Sequence, residues 1–62
     1  MNKRLKGKIV ENFGTQWNFA QKAKVPEAYV SKVVRGKLEL SDSEKTRWAK
    51  LLNSKKEVFS NA

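Results

Sequence analysis

Neither cysteine nor histidine occurs among these 62 residues. Without cysteine there are no disulfides and no thiolate metal sites. Without histidine, the commonest general base and the commonest metal ligand are both gone. No run of apolar residues approaches the roughly 20 needed to span a bilayer. The basic opening, Met1 to Lys6, leads into no apolar leader stretch. The reading is a non-enzymatic chain that stays in the cytoplasm, with no cofactor, no metal, no membrane and no small-molecule substrate.

What is abundant is positive charge. Fourteen lysines and arginines stand against six carboxylates, a net charge of +8. Such an excess on a small domain implies an anionic partner, most often nucleic acid or a membrane surface; a plainer role for the lysines is solubility. A chain of this size buries only about 60% of the surface it exposes when unfolded. That suffices for one domain, residues 1–62, with one core, and leaves little room for a catalytic pocket.

Apolar spacing predicts an all-α fold of four to five short helices. Leu5, Ile9, Val10 and Phe13 recur at helical intervals over residues 3–12, and Gly14 supplies the stop. Thr15 can cap the next helix, residues 16–23, where Phe19, Ala20 and Ala23 make an apolar stripe. Pro26 disfavours helical angles at Val25 yet suits a helix start. The third helix then runs over 26–35 with Val30, Val33 and Val34 inward, and Gly36 stops it. Leu38 and Leu40 lie in a connector that is either an anchored loop or a four-residue strand. Ser41 to Glu44 has capping-box spacing and opens a helix to about residue 53 with Trp48, Leu51 and Leu52 inward. Ser54 to Glu57 repeats the box before a short last helix through Val58 and Phe59, which pack on Leu5 and Phe13, form a seam between two copies, or both. Residues 60–62 are expected to fray.

The informative feature is the pair of helices around residues 24–26. A small side chain at Ala20 lets them approach, while Val25, Val30 and Val33 seal the angle between them. With Thr15-Gln16 opening the second helix and Arg35-Gly36-Lys37 closing the third, residues 15–37 resemble the helix-turn-helix of phage Cro and repressor proteins. Lys24 stands where that family usually has glycine. If it adopts left-handed angles, the lysine costs roughly 1–2 kcal/mol.

The resemblance implies a lambda-repressor-like DNA-binding domain, with its helix-turn-helix at residues 15–36 and its third helix in the major groove of double-stranded DNA. Glu27, Ala28, Ser31 and Lys32 are then the base-contact candidates: Lys32 donating to guanine, Glu27 accepting from cytosine, Ala28 touching a thymine methyl. The plain alternative for Glu27 is a helix-dipole contact. Thr15 and Gln16 meet phosphate at the start of the second helix, and Arg35 and Lys37 meet it beyond the third. The Tyr29 hydroxyl either reaches phosphate or base, or the ring packs on the connector that precedes the fourth helix. Lys3, Arg4, Lys6 and Lys8 supply diffuse electrostatic support. Trp17 is expected on the surface, beside the DNA backbone or against the fourth helix.

The expected function is a sequence-specific transcriptional regulator similar to a phage or prophage Cro, working by operator occlusion in a bacterial host. Its size argues against a repressor with a separate oligomerisation domain. It would bind a near-palindromic operator as a homodimer. A protein-interaction adapter on the same fold, holding an antirepressor, toxin or polymerase subunit, is the alternative. A nonspecific basic binder fits the charge but not the coherent third helix.

Overall fold

Asn2 closes the chain's two ends together in the computed structural model, which describes residues 1–59. Its side-chain oxygen accepts from the Leu5 N–H at 3.0 Å. Its amide donates to the Val58 carbonyl at 2.8 Å, and its backbone N–H donates to the Val34 carbonyl at 2.7 Å. Asparagine before an apolar-periodic run is a cap in its own right, and it opens α1, Lys3–Phe13.

Three more helices follow: α2, Gln16–Ala23; α3, Glu27–Val34; and α4, Asp42–Leu51. A 3₁₀ turn, Lys56–Phe59, comes last. Among the described residues there is no strand, so Leu38 and Leu40 belong to a loop. The expected fraying of residues 60–62 falls outside the described residues.

Each α-helix stops at a residue of positive φ: Gly14 (82°), Lys24 (61°), Gly36 (80°) and Asn53 (53°). After α2, α3 and α4 the hydrogen bonding is that of a Schellman turn. Val25 N–H reaches the Ala20 carbonyl at 3.1 Å, Lys37 N–H that of Lys32 at 2.9 Å, and Ser54 N–H that of Ala49 at 2.9 Å. Glycine fills the left-handed position once; lysine and asparagine fill it in the other two.

The two capping boxes form unequally. Ser41 Oγ accepts from the Glu44 N–H at 3.3 Å, and the Glu44 carboxylate is shared between the Ser41 hydroxyl, at 3.3 Å, and the Tyr29 hydroxyl. Ser54 donates to the Lys55 carbonyl at 3.5 Å, and the residues after it wind as 3₁₀ rather than α. Val10, expected inward, is 50% exposed; one residue past Ile9, it is turned about 100° from that buried position.

The core is built around the indole of Trp48. Phe19 meets it edge-on at 4.9 Å, with Tyr29 at 6.1 Å and Phe59 at 6.4 Å. Phe13 stacks edge-on against Phe19 at 5.2 Å. Leu5, Ile9, Val30, Val34 and Leu52 complete the fully buried set, and Val58 docks in the same cluster. Aromatic pairs at these separations add about 0.5–1.5 kcal/mol each beyond the area they bury. Contributions of that size matter in a domain this small.

Candidate nucleic-acid interface

The corner between α2 and α3 is three residues long, Lys24, Val25 and Pro26. Thr15 sets where α2 begins: its hydroxyl accepts from the Asn18 N–H at 3.1 Å. Lys24, at φ 61° and ψ 42°, sets where it ends. The left-handed angles considered for this lysine are the ones it adopts. Val25 is half-buried and packs on the core. Pro26, at φ −63° and ψ 148°, then starts α3 with no side-chain cap, a place where its missing N–H costs nothing.

α4 braces this corner from behind. Arg47 donates from a guanidinium nitrogen to the Ala23 carbonyl at 2.6 Å, across 24 residues of sequence. That puts a cation on the C-terminal end of α2, where the helix dipole favours one. One turn earlier on α4, Glu44 accepts the Tyr29 hydroxyl of α3 at 3.1 Å. Desolvation of the phenol first, and then the hydrogen bond to Glu44 and its negative charge, raise the Tyr29 pKa above its ordinary value.

α3 turns Val30, Val33 and Val34 inward. At 100° per residue, Ala28, Lys32 and Arg35 fall on the opposite side, and all three are exposed. Ser31 lies on the flank and is partly buried. Glu27 is also exposed, but for a different reason. It sits only about 60° from Val30 around the helix, and its exposure comes from its place in the first turn. Tyr29 lies on the flank opposite Ser31, its hydroxyl engaged by Glu44 within α4 itself, beyond the connector that the sequence points to. Gln16, at the first position of α2, is half-buried, whereas Thr15 and Lys37 are exposed.

The exposed ridge thus carries Ala28, Lys32 and Arg35, with Ser31 at its edge, while Glu27, expected on the same face, is set apart on the valine side of the first turn. The neighbouring loops and termini offer Thr15, Gln16, Lys24 and Lys37. Among the described residues no cluster of carboxylates is placed to hold a metal ion. The chemistry of this surface is that of donors, cations and one methyl group.

Residues 2–61 match the family described as protein of unknown function (DUF739). The chain belongs to that family. No curated protein and no solved structure matches it. The DUF739 description names no activity.

Of three residues that tie the helices of this DUF739 chain together, two carry no conspicuous sequence signal. Arg47 reads as one more exposed cation on α4. Nothing in the spacing announces that it reaches Ala23. Asn2 could have been found, because asparagine just ahead of the periodic residues is a recognised helix opener. Asn12 is the third. It donates to the Leu52 carbonyl at 3.0 Å, tying α1 to the end of α4 across 40 residues. Among the described residues no helix is long and apolar enough to cross a membrane.

Proposed function

We propose that this DUF739 protein is a sequence-specific double-stranded DNA-binding regulator of the phage Cro and lambda-repressor-like kind, with residues 15–36 as its helix-turn-helix. One observation carries the reading. α2 and α3 meet at a tight, doubly braced corner, and the α3 side opposite the three buried valines holds Ala28, Lys32 and Arg35 exposed. A helix presented in this way fits the major groove, which accepts one α-helix.

In this reading Lys32 donates to guanine O6 or N7 and Ala28 contacts a thymine methyl, while Ser31 and Glu27 take the adjoining positions. Thr15, Gln16, Arg35 and Lys37 hold phosphates and fix the register. Tyr29 orients α3 through Glu44. The protein does no chemistry on DNA; it excludes polymerase from an overlapping promoter in the cytoplasm of a bacterial host. Because one unit makes few base contacts, two copies act together on a near-palindromic operator. Their half-sites are separated by about one helical turn, roughly 34 Å.

Selection of bound duplexes from a random library, followed by footprinting, tests the proposal. The expected product is one enriched, near-palindromic sequence protected over both half-sites. Recovery of duplexes with no shared sequence would refute specific regulation and leave a nonspecific basic binder. No duplex binding at all, even in low salt, would turn attention to a protein partner.

A further inference from the structure

Trp17 is 56% exposed, an unusual position for the largest apolar side chain on a domain whose other tryptophan is fully buried. Its place on α2 says which way it faces. The next residue, Asn18, donates from its side chain to the Phe13 carbonyl at the end of α1, at 2.9 Å. Phe19 takes the contacts with Phe13 and Trp48. The Asn18–Phe19 side of α2 therefore belongs to α1 and α4. Trp17 lies on the other side, about 60° past Ala20 around the helix, toward the side left to α3. Helical side chains lean back over the preceding turn, which brings the indole over the N-terminal end of α2. Thr15 and Gln16 are there.

We infer that Trp17 lies against the sugar–phosphate backbone of bound duplex DNA, its ring on deoxyribose and its Nε1–H free to donate to a phosphate oxygen. The inference rests on the DNA-binding reading and deepens it by adding a backbone contact of a different chemistry. Continuity with the Thr15–Gln16 end of α2 supports duplex DNA as the occupant, as does the +8 charge of the chain. An indole suits that neighbour, since it pairs an apolar body with a single polar donor. Its contribution is neutral, so it strengthens binding without releasing counterions.

The two tryptophans give the test its readout. The full chain is titrated with a mixed-sequence duplex of roughly 20 base pairs, about two helical turns, in low salt. Wild-type emission should change on binding, and Trp17→Phe should abolish the change because the remaining indole, Trp48, is fully buried. Trp17→Ala should weaken binding about 3- to 10-fold, corresponding to the worth of an aromatic contact. Its slope of log affinity against log salt should match the wild type, unlike that of a lost phosphate-binding cation. Unaltered thermal melting of both variants shows that the fold is intact. If the wild type binds duplex while its emission stays constant and Trp17→Ala binds equally well, the indole is elsewhere and this inference alone falls. If the wild type binds no duplex, the DNA-binding reading falls and takes this contact with it.

Discussion

Lys32 and Arg35 carry the same charge and stand one helical turn apart on α3, yet they should differ in what their loss does. Lys32 lies mid-ridge, the position that the proposed reading gives to base edges. Lys32→Ala should cost about 1–3 kcal/mol on the selected operator and relax preference at one base pair. Arg35 and Lys37 flank the glycine that ends α3 and are assigned to phosphate. Replacing either with alanine should weaken binding to all duplexes alike and reduce the salt slope by about one unit per bound copy. Equal loss on every sequence for Lys32→Ala would move that lysine to the phosphate set. Tyr29 makes a prediction about pH. Its phenol is held neutral beyond the ordinary range by partial desolvation and then by Glu44. The folded chain therefore keeps this proton longer than the unfolded chain, whose phenol titrates near about 10. The stabilisation is complete below that pH and drains away as pH rises through the higher folded value. Tyr29→Phe should be less stable than wild type at neutral pH and should lose less stability in alkali. Parallel thermal melts from neutral to strongly alkaline pH check this; identical alkaline loss in both chains would remove Glu44 from the account. None of this pairing was visible in the spacing of Tyr29 and Glu44, because 15 residues and a loop separate them.

Among the elements, the α2–α3 corner shows best what could be read from the sequence. Thr15, Pro26 and the three valines each have a local signature, and the structure puts them where those signatures point. The brace from α4 had none, since Arg47 and Glu44 act across the fold and a capping-box glutamate has a local partner to suggest instead. The last helix forms as a single 3₁₀ turn rather than an α-helix for a related reason. Ser54 to Glu57 has the right residues for a box, but Ser54 bonds to its neighbour's carbonyl and the chain takes one 3₁₀ turn to bring Val58 into the core. Lys24 allows a quantitative test. At φ 61° a non-glycine residue carries roughly 1–2 kcal/mol of strain, while glycine loses about 0.5–1 kcal/mol more conformational freedom on folding. The difference favours glycine, so Lys24→Gly should stabilise the domain by about 0.5–1 kcal/mol. Lys24→Ala removes the same charge, keeps the strain and should gain nothing. Urea midpoints of the two variants separate backbone strain from charge, and an equal shift in both would mean the lysine's charge was responsible.

At the scale of the whole molecule, charge and apolar surface both bear on how two copies come together. Among the described residues the exposed large apolar side chains are Met1, Val10 and Trp17, on the N-terminus, α1 and α2 respectively. Phe59, a candidate for a seam between two copies, is drawn toward Trp48. A stable interface usually buries about 1,200–2,000 Å² in total around a largely apolar centre, whereas these three side chains sit on separate elements. Two chains of +8 also repel one another. In the proposed reading DNA brings the copies together in place of an interface: its phosphates would neutralise the repulsion, and adjacent half-sites would hold two copies side by side. The free protein should therefore sediment as a monomer at micromolar concentration, and the selected operator should take up two copies. Raising salt should dissociate the complex into single chains and free duplex rather than into duplex and a surviving dimer. Sedimentation velocity with and without operator distinguishes these cases. A salt-resistant dimer in the absence of DNA would mean that pairing comes from protein surface, and the operator would then be recognised by a preformed unit.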